Sequence, residues 1–304
     1  MANFYLANNV TIISAESDGA SAVAHQLDTM NTFSTSGAVL LRLSNNNTNI
    51  FDFSYQGGID HKNSGATTEA HEQSLNLNWS ATGSDTSSGQ YSVVIGANNL
   101  ASAFCSFAQG YWNDVTANNA FAFGGYNNVS GTYSGAFGQN NEVSAPYSCA
   151  FGEDSKVYTR ATIGLGGEAF ANRGDAQSGW STLKIATSDA TQTTMLSAGI
   201  NYVIQADCSW VFSALVIARS NEADGNDSAA YMLEGCIARD ESGNTALVGS
   251  VTKTVIAESA GATAWDVTAE ADDTGEALAI KVTGEAATNI RWVAKVDSAQ
   301  VTYT

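Results

Sequence analysis

The feature that most constrains this chain is a repeat of 14 residues in its middle third. Six glycines follow one another at this spacing without insertion or deletion, and a small residue stands two positions before most of them. A short fixed period is typical of a solenoid, in which units stack because no unit buries its apolar side chains alone. The glycines are Gly96, Gly110, Gly124, Gly138, Gly152 and Gly166.

The length of the unit selects among solenoids. Fourteen residues are too few for a helix pair, but they suffice for two short strands and two turns. Coils stacked about 4.8 Å apart would form a rod on the order of 30 Å long over residues 91–175. We expect the small residues to face the crowded interior, and the glycines to adopt a turn conformation that residues with a Cβ avoid.

The units share the pattern Ser-x-Ala-x-Gly followed by Asn-x-x-Val-Ser-Ala. This pattern resembles the head repeat of trimeric autotransporter adhesins, a left-handed parallel β-roll that also occurs in bacteriophage fibres. The resemblance implies a homotrimer whose three rolls pack along one axis. Because one coil encloses little core, we expect some recurring phenylalanines to face another chain; a monomeric β-solenoid is the alternative. These residues are Phe107, Phe121, Phe123, Phe137 and Phe151.

The composition favours short strands and turns over long helices. The 304 residues include one proline and 14% charged residues, together with abundant Gly, Ser, Thr, Asn and Ala. The 30 acidic and 12 basic residues give a formal net charge of −18. This charge argues against nucleic acid as a partner and helps to keep a fibre soluble.

Residues 1–90 are predicted to form a β-rich region. By analogy with phage fibres, this region would attach the fibre to other virion proteins. A short helix is expected around residues 20–30. Strands are expected at residues 9–14, 38–44, 50–55 and 74–79.

Residues 176–304 lack the repeat and contain longer apolar segments separated by polar turns. This spacing predicts an antiparallel sandwich or barrel, of which we predict the sandwich. Residues 211–219, 228–235 and 290–294 are similar to a C-terminal β-domain of predicted phage tail-fibre proteins. The predicted fold is therefore an all-β homotrimeric fibre, with a parallel β-roll of six repeats between the N-terminal β-region and the C-terminal antiparallel β-sandwich.

These features predict a bacteriophage tail fibre, a virion structural protein that mediates adhesion to the host cell surface. Two alternatives stay open: a structural fibre or appendage of the capsid or collar that binds nothing specific, and a trimeric adhesin on a bacterial surface. The sequence shows no signal segment at its start and no run of 18 apolar residues. We therefore expect synthesis in the host cytoplasm, a place on the virion and no membrane insertion.

Recognition of a host glycan or protein is predicted at the distal end of the C-terminal domain, where three copies of one loop add weak contacts. Two polar loops supply donors and acceptors for sugar hydroxyls. Trp265 or Tyr231 would offer an aromatic ring face beside them. The candidate receptor-binding residues are Asn221, Asp224, Asn226 and Asp227 in the first loop, and Asp240, Glu241 and Asn244 in the second.

No pattern in the sequence indicates a catalytic, cofactor or metal site. No metal-binding spacing joins His25, His61 and His71. Residues 224–227 lack the spaced ligands of an EF-hand and are expected to form a polar hairpin tip. Paired carboxylates that cleave polysaccharide cannot be recognised from spacing alone. We expect a protein with no enzymatic activity and no cofactor.

Two further motifs receive structural interpretations. The four cysteines include no CxxC pair, and we expect all four to be buried free thiols. The tripeptide Arg173-Gly174-Asp175 has the sequence of an animal-cell adhesion motif. We expect this three-residue match, at the end of a repeat, to be accidental.

Overall fold

The computed structural model describes residues 87–303 and, before them, the backbone of six strands. Four of these strands, β1, β3, β4 and β6, lie where strands were predicted. The helix predicted around residues 20–30 is wrong over its second half, which is strand β2, because the β-branched segment of β1 pairs with it. The six strands are β1 (Val10–Ser14), β2 (His25–Thr29), β3 (Val39–Asn45), β4 (Thr48–Ser54), β5 (Ile59–His61) and β6 (Leu75–Asn78).

The 14-residue repeat folds into a parallel β-solenoid with five complete coils. Each coil contributes one longer strand to a first sheet and a two-residue strand to a second sheet. Within the described residues, the sixth repeat contributes a longer strand to the first sheet but no strand to the second sheet. The longer strands are β7 (Val93–Ala97), β9 (Phe107–Tyr111), β11 (Phe121–Gly125), β13 (Gly135–Gln139), β15 (Cys149–Glu153) and β17 (Thr162–Gly167), and the short ones are β8 (Leu100–Ala101), β10 (Asp114–Val115), β12 (Asn128–Val129), β14 (Glu142–Val143) and β16 (Lys156–Val157).

Equivalent residues of neighbouring coils lie directly opposite one another, as Ala122 opposes Ala136 and Gly124 opposes Gly138. The small residues two positions before the glycines point into the solenoid, as predicted, and Ala136 has no exposed surface. The valines of the short strands, such as Val129, face them and close the core. The interior of each coil is therefore narrow and holds only small side chains.

The repeated glycines permit close stacking of the coils. Gly138 has a φ of +115°, and a Cβ there would lie 2.0 Å from the carbonyl oxygen of Gly152. The four other repeat glycines from Gly96 to Gly152 also have a positive φ, between +89° and +122°, whereas Gly166, where the chain leaves the repeat, does not. The strict spacing of glycine thus follows from the distance between backbones.

A ladder of buried asparagines supports one corner of the solenoid. The amide of Asn127 donates to Oδ1 of Asn113 (2.9 Å) and to the carbonyl oxygen of Gly138 (2.9 Å). Oδ1 of Asn127 in turn accepts from the amide of Asn141 (2.9 Å) and from its backbone N–H (3.0 Å). Asn99 continues the ladder at its start. Each side chain satisfies the backbone of the coil beside it.

We expect the substitution Asn127→Ala to lower the free energy of unfolding by about 2–4 kcal/mol, because it leaves several buried donors and acceptors unpaired. Urea unfolding followed by circular dichroism measures this loss. Asn128→Ala is the matched control, since Asn128 is exposed and its replacement should cost less than about 0.5 kcal/mol. Equal losses in the two variants would contradict the role given to the ladder.

The C-terminal region consists of antiparallel strands and two short 3-10 helices, Glu222–Asp224 and Ala260–Ala262. The strand β18 was not predicted, because strands in this region were predicted from longer apolar segments, whereas β18 alternates apolar residues with Gln, Ser, Thr and Lys. The strands are β18 (Ala176–Thr187), β19 (Thr193–Thr194), β20 (Tyr202–Val203), β21 (Cys208–Ser220), β22 (Ser228–Arg239), β23 (Thr245–Leu247), β24 (Thr252–Glu258), β25 (Asp266–Asp272), β26 (Ala277–Thr283) and β27 (Ile290–Thr302).

Two sheets form the C-terminal region. The first has the order β23-β22-β21-β27-β18, with β24 also paired to β22, and the second joins β19, β20 and β25 to β26. One core lies between the sheets, where Trp210 and Trp292 of the first sheet meet Val267 and Ile280 of the second. Alternating burial along β21 and β27 gives the first sheet one inner and one outward side.

The first sheet continues the longer sheet of the solenoid. Strand β18 pairs antiparallel with β17, with Gly179 opposite Gly164, and β27 and β21 follow on its far side. The solenoid and the C-terminal strands therefore share one sheet of 16 strands. This continuity fixes which side chains of the two regions lie on the same surface.

Candidate functional site

The outward side of the solenoid carries a ladder of phenylalanines. Phe123, Phe137 and Phe151 occupy the same position in consecutive coils, and each pair of neighbouring rings stacks with centroids 5.2 Å apart and planes 7° apart. Phe121 packs beside Phe123 and Phe137 at 5.7 and 5.1 Å. Phe137 is 37% exposed. The chain thus presents a row of aromatic rings outside its own core.

The ladder continues across the shared sheet into the C-terminal region. Ile163 of the last solenoid strand lies opposite Trp180, which is 37% exposed. Leu165 lies on the same side. Its row continues through Ser178 of β18 and Ala299 of β27 to the exposed Val211 of β21. We call this surface the outer face. It comprises Phe107, Phe121, Phe123, Phe137, Phe151, Ile163, Leu165, Trp180 and Val211.

Continuous exposed apolar surfaces of this kind mark sites of protein–protein interaction. The outward positions one and three residues before the repeat glycines carry no charged side chain in any of the six repeats. In a chain with a net charge of −18, the absence of charge from the solenoid part of the outer face makes that part suitable for burial against another molecule.

The first candidate loop connects β21 to β22. Its side chains are held by the protein itself: Asp224 Oδ2 accepts from the backbone and side-chain amides of Asn289 (2.8 and 3.1 Å), and Asn221 Oδ1 accepts from the Asp224 N–H (2.8 Å). Asp227 Oδ1 accepts from Ser259 Oγ (2.7 Å). Asn226 is exposed and accepts a hydrogen bond from an arginine of β21. The loop is a polar hairpin tip with a fixed shape.

The second candidate loop lies at the other end of β22. Asp240 accepts hydrogen bonds from the side-chain and backbone N–H groups of Asn244 (2.8 and 2.9 Å), which hold the pKa of its carboxyl below the ordinary value. Glu241 is exposed. Eleven residue steps along β22 place the two loops roughly 36 Å apart. They therefore cannot contribute to one binding site within a chain.

The aromatic residues proposed as partners of these loops are buried. Tyr231 is 1% and Trp265 3% exposed, and the Tyr231 hydroxyl donates to the carbonyl oxygen of Trp265 (3.2 Å). Neither ring offers a face to a sugar. The prediction of an aromatic platform at these positions is wrong, because both rings belong to the core between the sheets.

A recess of about 820 Å³ lies beside the first loop. Ile217, Val293 and Ala186 supply apolar lining, and Asn221, Asn226 and Asn289 of the neighbouring loops also line it. Two arginines, Arg219 and Arg291, complete its polar part. These arginines were not predicted as site residues, because only strand pairing brings them together.

A second, open groove of about 920 Å³ runs along the solenoid beside the repeat glycines. Tyr111 and Tyr126, whose rings meet edge to face at 5.4 Å, line it together with Glu153 and Glu168. Exposed tyrosines and carboxylates are residue types that contact carbohydrate. The 14-residue period places these groups on one side of the solenoid.

The described part of the chain contains no group of three or more metal-ligating side chains placed to hold an ion. His25 lies in strand β2 and His61 in strand β5, and the structure describes only the backbone of these two strands. His71 lies outside the described residues. The tip at residues 224–227 is closed by internal hydrogen bonds.

All four cysteines are free, but the prediction that all are buried is wrong. Cys208 is buried against Trp210, whose indole N–H donates to its sulfur (3.1 Å), and burial raises the pKa of the Cys208 thiol. Cys149 and Cys236 are half-buried and Cys105 is exposed. The exposed thiol lies at a corner of the solenoid, a position that a stacked core does not cover.

The Arg-Gly-Asp tripeptide closes the end of the solenoid. Asp175 accepts from the backbone N–H groups of Phe170, Ala171 and Asn172 at 2.7–2.8 Å. Burial alone would raise the pKa of Asp175, but these bonds hold it below the ordinary value. Arg173 donates to Asn140 Oδ1 (2.8 Å). Both charged groups thus have structural partners.

No family model and no curated protein matches the sequence. Two phage tailspike proteins are among its structural neighbours. A tailspike of the Acinetobacter baumannii bacteriophage Fri1, described as a capsular polysaccharide depolymerase, is 8% identical with a TM-score of 0.29, over 79% of this chain and 49% of that one. The tailspike of Acinetobacter phage vB_ApiP_P1 is 12% identical with a TM-score of 0.19, over 76% and 56%.

This chain spans about half the length of these tailspikes. The first neighbour is described as a depolymerase, which is an enzyme. The prediction that this chain has no enzymatic activity is therefore corrected and withdrawn. Glycosidases depend on two carboxylates roughly 5–9 Å apart, a separation that a sequence does not show.

The described part of the chain has no helix with the length and hydropathy of a membrane span.

Proposed function

We propose that the chain is a homotrimeric fibre protein of a bacteriophage virion that adheres to a glycan on the host cell surface. In this proposal residues 1–90 attach the fibre to other virion proteins, residues 91–175 form a rod related to the adhesin head repeat, and residues 176–304 bind the host. The outer face is the observation that carries the proposal.

The outer face supports a homotrimer for a physical reason. Its rings follow the direction in which the coils stack, so identical chains placed around a common axis would bury identical ladders against one another. Burial of a large aromatic side chain stabilises an assembly by about 1.5–3 kcal/mol relative to its exposure. The uncharged outward positions let the chains approach despite their net charge of −18.

Host recognition is proposed at the first loop, with Asn221, Asp224, Asn226 and Asp227, because this loop borders the 820 Å³ recess. The second loop, with Asp240, Glu241 and Asn244, is a separate and weaker candidate, because its aspartate and asparagine bond to each other. Three copies of the first loop in a trimer would add their contacts through effective concentration.

Adhesion is tested with full-length protein, which we expect to bind host cells and to reduce adsorption of the phage. Periodate oxidation of the cell-surface glycan should abolish binding. The substitution Asn226→Ala should weaken binding several-fold, whereas Asn128→Ala at an exposed position of the solenoid should leave it unchanged. A trimer that binds no host cell would contradict adhesion and support a structural appendage.

A further inference from the structure

Arg219 and Arg291 form a pair of like charges on adjacent strands. They lie directly opposite each other in the pairing of β21 with β27, and both are exposed on the outward side of the sheet. Directly opposed residues of an antiparallel pair have Cβ atoms about 5 Å apart, and like charges there are destabilising. An anion bound between the two guanidinium groups would remove this repulsion.

The chain itself does not supply that anion within its described part. Arg219 donates a hydrogen bond to Asn226 Oδ1, which is neutral. Among the side chains that the structure describes, which do not include that of Glu222, no carboxylate forms an ion pair with either guanidinium, whereas five other cationic side chains do. These are Lys156, Arg239, Lys253, Lys281 and Lys295.

The two arginines open into the recess beside the first loop. Its volume of about 820 Å³ lies within the range of roughly 300–1,000 Å³ that is typical of ligand sites. Hydrogen bonds fix the rim, since Asp224 joins Asn221 to Asn289. Arg219 is oriented by Asn226. The site therefore combines oriented cationic donors, amide groups and an apolar wall.

The arginine pair lies away from the outer face. In the last solenoid strand, β17, Ile163 lies opposite Trp180, and Trp180 in turn lies opposite Asp297 of β27. Arg291 is six residues from Asp297 along that strand, a distance of about 20 Å. Contact between neighbouring chains along the phenylalanine ladder would therefore leave this recess open.

We propose that Arg219 and Arg291 bind the carboxylate of an acidic sugar in this recess. Guanidinium groups bind carboxylates through two parallel N–H···O bonds, and the amides of the rim are suited to sugar hydroxyls. The inference rests on the proposed function, of which it specifies the ligand: an acidic rather than a neutral surface glycan.

The test is a calorimetric titration of the full-length protein with a hexuronic acid oligosaccharide and with the same oligosaccharide after reduction of its carboxyl groups. We expect saturable, salt-sensitive binding of the acidic form only. Arg291→Gln and Arg219→Gln should each weaken binding at least about tenfold. Lys295→Gln is the matched control on β27, since Lys295 is exposed and already paired with Asp297 (3.0 Å).

Equal binding of the acidic and reduced forms, no saturable binding of either, or unchanged binding by the arginine variants would overturn the inference. A reduced oligomeric mass of Arg291→Gln would also overturn it, because the anion would then be a carboxylate of a neighbouring chain. Failure of the proposed function is distinguishable: the wild-type protein would then be monomeric or would bind no host cell, whatever the titration shows.

Discussion

Replacing Gly138 with alanine is expected to lower the free energy of unfolding by at least about 3 kcal/mol per chain, from the sum of backbone strain and overpacking. Gly138 has a φ of +115°, which residues with a Cβ rarely adopt, and the added carbon would lie 2.0 Å from the carbonyl oxygen of Gly152. That oxygen also accepts the Asn141 amide (2.9 Å). The coil cannot shift without breaking this bond.

Urea unfolding at a single protein concentration measures the effect, because the stability of an oligomer depends on concentration. Gly167→Ala is the matched control: it lies in strand β17, and a Cβ there would meet no atom within 4 Å. We expect the control to change stability by less than about 0.5 kcal/mol. Similar stability of the two variants would show that the coils do not stack as closely as described.

The substitution Phe123→Glu is expected to convert the proposed trimer into monomers. Phe123 lies in the middle of the ladder, 5.0 Å from Phe107 and 5.2 Å from Phe137 between ring centroids. A trimer would bring three introduced carboxylates together among the phenylalanine rings, and an unpaired buried charge costs several kcal/mol. Light scattering measures the resulting mass, and circular dichroism shows whether the solenoid is retained.

Phe170→Glu provides the comparison for this variant. Phe170 is 81% exposed and lies beyond β17, outside the outer face. Its replacement by glutamate should leave the oligomeric mass unchanged. If Phe123→Glu also kept the mass of the unmodified protein, the phenylalanine ladder would not be the surface that joins the chains.

The sequence predicted the solenoid well because its geometry depends on single positions. A glycine is required wherever the backbones of two coils touch, and a small residue is required wherever the interior narrows. The regular spacing of residues such as Gly138 and Ala136 can therefore be recognised in the sequence. The asparagine ladder was equally visible, since Asn113, Asn127 and Asn141 share the 14-residue spacing. We missed it because a polar residue was expected in a turn and not in a buried row.

The C-terminal region was harder to predict because its surfaces depend on strand pairing. The apolar residues of β18 are interrupted by polar ones, so the strand that joins the solenoid to the C-terminal sheet was missed. Residues 221–227 and 240–244 are close in sequence, yet β22 separates them along its whole length. The opposition of Arg219 and Arg291 likewise depends on the register of β21 with β27.

We infer that the outer face joins three copies of the chain. The mass of the purified protein in solution, determined by light scattering at several concentrations, tests it most directly. We predict a mass about three times the 31.6 kDa of one chain. A mass of 31.6 kDa at every concentration would contradict the claim and would favour a monomeric β-solenoid.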